Sequence, residues 1–352
     1  MTPLKAFLVA VVGAAVSLQL LILANMSYLY GTGYRNTTRF SALKLLYVDY
    51  DHGVIGHSVI TAYDQMRGPG FPTLHQHSAE EYPTRQDVER AVCKGGYWGA
   101  IYASSNASSR LSAALSSPEM AEAYDNSQAL GYIWSSTKYP SIAQSVNAQL
   151  IQLTQGAAAV YKASDSIAAL STINVSDPYI ARTVLDPISA SPTDLNPMNQ
   201  GVRFYYNTVS MVMPIIIQFF FIMALNGISA QTGTLDTLTL RQNTLIRFAI
   251  SVIYTFLASL TMTGYMWAFR EDWAVTSSQF GMTWIAIWLA MHVHFLLIDF
   301  AVSIIPMQFV PFFVLTWVII NVASTLSPFE LSPGFYRVGL VKEDQFPQVG
   351  DE

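Results

Sequence analysis

The sequence predicts an α-helical polytopic membrane protein with an inserted non-cytosolic α/β domain and about five transmembrane helices. Three observations carry that expectation. Residues 204–225 contain only Asn207, Thr208, Ser210 and Gln218 as polar groups and no charge, about the length that crosses a hydrocarbon core of ~30 Å. Between Phe204 and Phe329 the charged residues are Asp236, Arg241, Arg247, Arg270, Glu271, Asp272 and Asp299 alone, in a chain of 352 residues that is 52% hydrophobic and 12% charged. Residues 31–203, by contrast, carry an ordinary mixture of both signs, so the chain divides into a soluble part and a membrane part.

Residues 4–24 are apolar apart from Lys5, Ser17 and Gln19, too long for the apolar core of a cleaved secretory signal. They predict a first span, within residues 1–30, that also serves as signal anchor. Ala10, Gly13, Ala14 and Ser17 put small residues on one side of it, where a partner helix or a second copy of the chain could approach closely. Lipid-facing alanine is the plainer alternative.

The next segment, 31–203, alternates between the strand and helix periods. Residues 40–50, 71–77, 97–104 and 130–134 read as strands; 53–66, 84–92 and 107–117 read as helices. Such alternation favours a partly parallel sheet covered by helices. Pro140 opens a long helix in which Ile142, Val146, Leu150 and Leu153 recur at helical spacing. Residues 172–200, with Pro178, Pro187, Pro192 and Pro197, read as an irregular connector.

The membrane domain, 204–326, then adds spans at 204–225, 245–269, 280–300 and 307–326, and 327–352 read as a short C-terminal tail. In the first of these, Phe204, Tyr205 and Tyr206 suit the headgroup layer, and Pro214 predicts a kink. Arg241 and Arg247 outweigh Asp236 in the 229–247 connection, whereas residues 270–279 are net acidic, so the former is expected in the cytosol and residues 31–203 on the opposite face of a plasma membrane or endomembrane. Sequons at Asn25, Asn36, Asn106 and Asn174 all fall on that non-cytosolic side. Lys5, set against Arg35, Arg39 and Lys44, argues for the reverse insertion; long folded domains, however, translocate largely regardless of charge.

Several chemistries are excluded. The net charge of −5 and the lack of a basic block remove the footprint of a nucleic-acid binder. Cys93 is alone, so there is neither an intrachain disulfide nor a multi-cysteine metal site. No phosphate-binding GxxxxGK[ST] loop and no HExxH occurs, and no motif calls for a cofactor or a metal. Gly56-His57-Ser58 begins like a hydrolase nucleophile elbow, but Ile60 stands where the closing glycine must be. His75 and His77 would share a strand face, without a third metal ligand at a recognisable spacing. The better candidates are polar residues within the spans, Asn207, Gln218, His292, His294, Asp299 and Asn321, because polar groups in a bilayer are costly and turn to the bundle interior. Hydrogen bonding between helices is their bland role. His292 and Asp299 share a helix face about 10 Å apart, with Gln218 expected to bridge them and His294 pointing away.

Residues 46–56 (LYVDYDHGVIG), 88–111 (VERAVCKGGYWGAIYASSNASSRL), 195–228 (LNPMNQGVRFYYNTVSMVMPIIIQFFFIMALNGI) and 325–339 (TLSPFELSPGFYRVG) resemble fungal membrane proteins of the nitrosoguanidine-resistance type. The layout also resembles the membrane subunits of ABC type-two exporters and the phage-infection-protein family. The resemblance covers about residues 40–340. It implies a protein of drug resistance or export, not an enzyme, with no catalytic residues to carry over. Relatives of this kind have a longer cytosolic N-terminal segment and continue after Arg337-Val338-Gly339 into another span. The resemblance therefore implies a chain one helix short of them, through truncation or a lost last exon.

The expected function is thus resistance to, or export of, small amphipathic compounds, with Gln218, His292 and Asp299 on the route and the lipid bilayer as partner. The energy would come from a partner ATPase or an ion gradient, unless the role is passive. A membrane-embedded enzyme using His292 and Asp299 as acid and base, and a lipid-organising scaffold, are the alternatives. The orientation has a direct check. Asn106 or Asn174 should carry glycan, with Asn36 a further acceptor and Asn25 too close to the bilayer to be one. Unchanged mobility after endoglycosidase, together with digestion of residues 31–203 by protease outside sealed microsomes, would reverse it.

Overall fold

A computed structural model describes residues 3–166, 176–197, 203–233, 237–271 and 273–337, without the side chains of 166, 203–208 and 337. Asn174, Asp236, Asp272 and the tail beyond Arg337 lie outside the described residues. The chain forms two units, one of Met1–Gly33 with Met198–Leu326 and one of Tyr34–Pro197 with Ser327–Glu352.

In chain order, helix α1 (Pro3–Thr32) is followed by the elements of the α/β unit: β1 (Lys44–Asp49), α2 (Val54–Met66), β2 (Thr73–His77), α3 (Arg85–Cys93), β3 (Gly99–Ala103), α4 (Ala107–Ser116), α5 (Pro118–Glu122), β4 (Leu130–Trp134), α6 (Pro140–Tyr161), α7 (Pro178–Leu185) and β5 (Ala190–Asp194). The helices α8 (Arg203–Gln231), α9 (Leu240–Ala268), α10 (Ser277–Ile304) and α11 (Val310–Leu326) complete the membrane unit.

The five strands are ordered β2-β1-β3-β4-β5, parallel except for the antiparallel β3–β4 pair. Both faces of the sheet are covered, which is why β1 is apolar at successive positions rather than alternately. Leu45 and Tyr47 enter the larger core, with Val59 of α2 and Val146 and Leu150 of α6. Leu46 and Val48 point the other way, to Val88 and Val92 of α3. The buried Tyr47 hydroxyl donates to the Gly56 carbonyl at 2.9 Å. Burial first, then Asp49 and Asp51, push its phenol far above the usual range, so it remains a donor.

The stretch expected to be an irregular connector is instead partly ordered. Its described residues hold α7, capped by Asp177, and β5, which runs parallel to β4. The proline-rich sequence masks this because Pro192, though it cannot donate to a ladder, is tolerated on an edge strand, and β5 pairs on one side only. The first part of the expected tail packs into the α/β unit: Leu331 is fully buried in its core, and Arg39 Nε donates to the Leu331 carbonyl at 2.5 Å.

Among the described residues, five helices are long and apolar enough to cross a membrane. The protein is an integral membrane protein of helical type. Two spans begin earlier than hydrophobicity suggests because T-x-x-Q capping boxes start them. Thr239 with Gln242 caps α9 and Thr276 with Gln279 caps α10, each pair bonding reciprocally across the first turn.

One glycine tests the packing of the sheet. A Cβ at Gly131 in β4 would stand 2.2 Å from the ring of Tyr102 on the neighbouring strand. Gly131→Ala should therefore cost about 1–3 kcal/mol, read as a lower thermal midpoint of the purified full-length protein. An unchanged midpoint would mean that the Tyr102 ring yields freely.

Candidate functional site

The membrane unit is held along two seams. In the first, α9 and α10 run antiparallel. Arg247 pairs with Asp299 at one end, Phe248 meets the edge of His292, and Trp284 Nε1 donates to the Phe256 carbonyl at 3.1 Å. Phe256 lies between Trp284 and Trp288, with ring centroids 4.5 and 5.3 Å away. In the second seam, Ile215 and Ile222 of α8 pack with Phe295 and Ile298 of α10 and Val310 and Val314 of α11. Asn25 of α1 donates to Thr316 of α11 at 3.3 Å.

Helix α9 buries Ser251, Thr255, Ser259 and Thr263, every fourth residue, and each hydroxyl donates to a carbonyl one turn back in its own helix at 2.7–3.0 Å. These small side chains let neighbouring helices approach without leaving an orphaned donor.

The expected site residues have separate fates. Asp299 is bound by Arg247, which also donates to Asn226 Oδ1 at 2.9 Å, so three helices meet in one polar cluster. His292 lies on the same seam, against Phe248, and its Nδ1 is buried with no hydrogen-bond partner. Gln218 is fully buried in α8, and neither amide atom has a partner. The expected bridge from Gln218 to His292 and Asp299 is therefore not made, because Arg247 takes the carboxylate. Reading Arg247 only as a topology signal concealed this, although a guanidinium in the second turn of a spanning helix itself calls for a counter-charge. His294, expected to point away, is buried and accepts from Trp317 Nε1 at 3.1 Å, and Asn321 donates to the carbonyl of Trp317 at 2.7 Å. Asn207 lies among the side chains not described.

Between α8 and α9 lies a cavity of about 620 Å³, within the range of small-molecule sites. Met213 and Ile217 line it from α8, and Leu257, Ala258, Met262 and Tyr265 from α9, with no charged residue among the described residues that line it. Met213 and Leu257 are exposed, so the cavity is an open groove. Phe221 and Tyr254 stack between the two helices at 3.5 Å. The Tyr265 hydroxyl and Ser210 Oγ are buried without hydrogen-bond partners.

The α/β unit has a different candidate. The connections after β1 and β3 leave in opposite directions, creating the kind of crevice where open α/β sheets bind ligands. Here the chain fills it. Asp51 accepts from the backbone N–H of Ser108 at 2.8 Å and from its hydroxyl, and Ser108 Oγ accepts from the N–H of Ile55 at 3.0 Å. One carboxylate thus joins the N-termini of α2 and α4. His75 and His77 gather no third metal ligand, and among the described residues no cluster of three or more metal-ligating side chains occurs. His77 is already engaged by Glu81 at 2.5 Å and Tyr97 at 2.9 Å. Of the sequons, Asn106 is exposed, Asn36 is half-buried, and Asn25 is buried against Thr316.

These features define an integral membrane protein in which a bundle of apolar helices holds an open groove. A profile of the family described as "Protein of unknown function (DUF3533)" matches residues 14–341, and the chain belongs to that family. No curated protein matches the chain, and no solved structure does.

The polar cluster can be tested apart from any ligand. Removing one partner of a buried ion pair costs about 3–5 kcal/mol; with Arg247 and Asp299 17% and 26% exposed, roughly half of that is expected. Asp299→Asn and Arg247→Met should each lower folded yield and thermal midpoint, and the double variant with Asp299→Leu should recover part of the loss. Undiminished stability in both single variants would remove the cluster's structural role.

Proposed function

We propose that the protein takes small amphipathic compounds from the bilayer into the groove between α8 and α9, and so contributes to resistance to, or export of, such compounds. The observation that carries this reading is the groove itself: an apolar, open space of about 620 Å³ with no charge among the described residues that line it, and with Tyr254, Thr261 and Tyr265 as its polar members. Ligand sites combine a mostly apolar lining with a few convergent polar groups. The resemblance to nitrosoguanidine-resistance proteins supports the same class of activity. The charge bias of the connections and the sequons support placing the α/β unit on the non-cytosolic side. With no nucleotide motif in the chain, the driving force would be a partner ATPase, an ion gradient or the compound's own gradient. An enzyme built on His292 and Asp299 is less well supported, because Arg247 holds the carboxylate.

Ala258→Trp, which fills the groove from α9, tests this reading. Cells lacking the gene should accumulate particular apolar compounds from a panel, and the Ala258→Trp protein, present at normal abundance, should restore little of the lost exclusion. A panel in which deletion changes no compound's accumulation, or full restoration by Ala258→Trp, would overturn it.

A further inference from the structure

We infer that the groove takes one extended apolar chain, the tail of an amphiphile, and that the Phe221–Tyr254 stack is the stop that limits its length. The inference rests on the proposed ligand-binding role of the groove and adds the class of ligand and the residues that select it. Helix α8 ends at Gln231 and α9 begins at Leu240, so the two helices lie alongside each other in opposite directions. Phe221 and Tyr254 fix their register, because these rings stack 3.5 Å apart. Counted in turns from that contact, Ile217 stands level with Leu257 and Ala258, Met213 with Thr261 and Met262, and Val209 with Tyr265.

The lining therefore forms two walls along the helix axes, and among the described residues none past the stack contributes to it. From Tyr254 to Tyr265 the rise of α9 is about 16 Å. With C–C bonds of about 1.5 Å at near-tetrahedral angles, an extended chain advances about 1.25 Å per carbon, so roughly ten to thirteen carbons fit. Tyr254 is also the central residue of α9 (Leu240–Ala268). The groove thus occupies the half of the helix that leads to Ala268, and its length is close to half of a ~30 Å hydrocarbon core, the depth of one leaflet.

Charge and polarity agree with this occupant. No charged residue is among the described residues that line the groove, and the Thr261 hydroxyl is turned to the Leu257 carbonyl at 3.3 Å. The head of the amphiphile, whatever its charge, therefore stays outside, at the end marked by Val209 and Tyr265. Beyond that end lie residues that suit the headgroup layer: Phe204, Tyr205 and Tyr206 in the sequence of α8, and Arg270, which donates to the Trp267 carbonyl at 2.6 Å and lies over its ring at 4.3 Å. The tail then points to the stack. Lipid is as apolar as the lining, so the groove gains a chain by fit rather than by transfer out of water, and fit is what a fixed stop selects.

The test uses the full-length protein in lipid nanodiscs and a series of photoactivatable n-alkyl glycerol ethers, alike in head and differing in chain length, with the diazirine at the chain end. An adamantyl ether with the same head and reactive group is the compact counterpart. Adducts are located by peptide mass spectrometry and counted relative to those on the exposed face of α1, which removes differences in partition into the bilayer. Relative labelling of the α8 and α9 groove peptides should rise with chain length to about a dozen carbons and then level off, with chain-end adducts near Ile217 and Leu257. The adamantyl probe should give about threefold less, because it touches less of the two walls. Tyr254→Ala and Phe221→Ala each remove the stop, so the rise should continue for about four more carbons, one helical turn, with chain-end adducts moving past position 254 in α9. Tyr254→Phe keeps the ring and should behave as the wild type. The wild-type length profile is decisive by itself should an alanine variant fail to insert. Labelling that does not depend on chain length, or a plateau at the same length in both alanine variants, would overturn the stop. Adamantyl labelling equal to the linear optimum would overturn the extended-chain class; either result leaves the groove reading standing. Absence of groove adducts with every probe, while α1 is labelled, would overturn both. Mass spectrometry of the protein extracted in mild detergent then separates the sources of such a tail: a co-purifying lipid identifies a bilayer component, and a groove that fills only on addition of the ether identifies a foreign compound.

Discussion

A polar group in hydrocarbon must find its partner inside the protein, and this constraint orders the membrane unit. The α9 hydroxyls return to their own backbone. Trp317 satisfies a nitrogen of His294, Asn25 reaches Thr316, and Arg247 gathers Asp299 and Asn226. Each contact uses polar groups on two or more helices, except for the α9 stripe, whose internal bonds free its surface for close packing. Helix register is set by these few contacts, because apolar side chains alone distinguish poorly between a helix and lipid.

Against that background the exceptions have weight. Gln218, Ser210, Tyr265, Trp288 and His292 carry buried polar atoms with no partner in a unit that otherwise pairs such groups carefully. One of them, Tyr265, is also among the residues that line the groove between α8 and α9. The α/β unit presents the contrary case. Its crevice at the ends of β1 and β3 is occupied by Asp51, which is fixed by Ser108, and the N–H groups of Ile55 and Ser108 are already engaged there.

Much of the fold was legible because it depends on composition. Long uncharged runs specify spans, and the switch between helical and strand periods specifies the α/β unit. The β1 and β3 strands are continuous apolar runs since both sheet faces are covered. Span ends were less legible: the capping boxes at Thr239 and Thr276 extend α9 and α10 past the apolar run. Strand β5 was hidden by Pro192, which only an edge position accommodates. The site was legible in part. Helical spacing put His292 and Asp299 on one face, and both do meet α9. Which α9 residue takes the carboxylate depends on the relative register of two helices, and no single-helix period contains it. The groove is likewise a property of two helices, lined by Met213 and Ile217 from one and by Leu257 and Met262 from the other, and neither segment shows it alone.

The most direct test of the account is a density map of the protein in lipid nanodiscs, at a resolution that defines side chains. The account predicts non-protein density in the groove between α8 and α9, along Met213, Ile217, Leu257 and Met262. Helices closed over that space, leaving no room for a ligand, would contradict it.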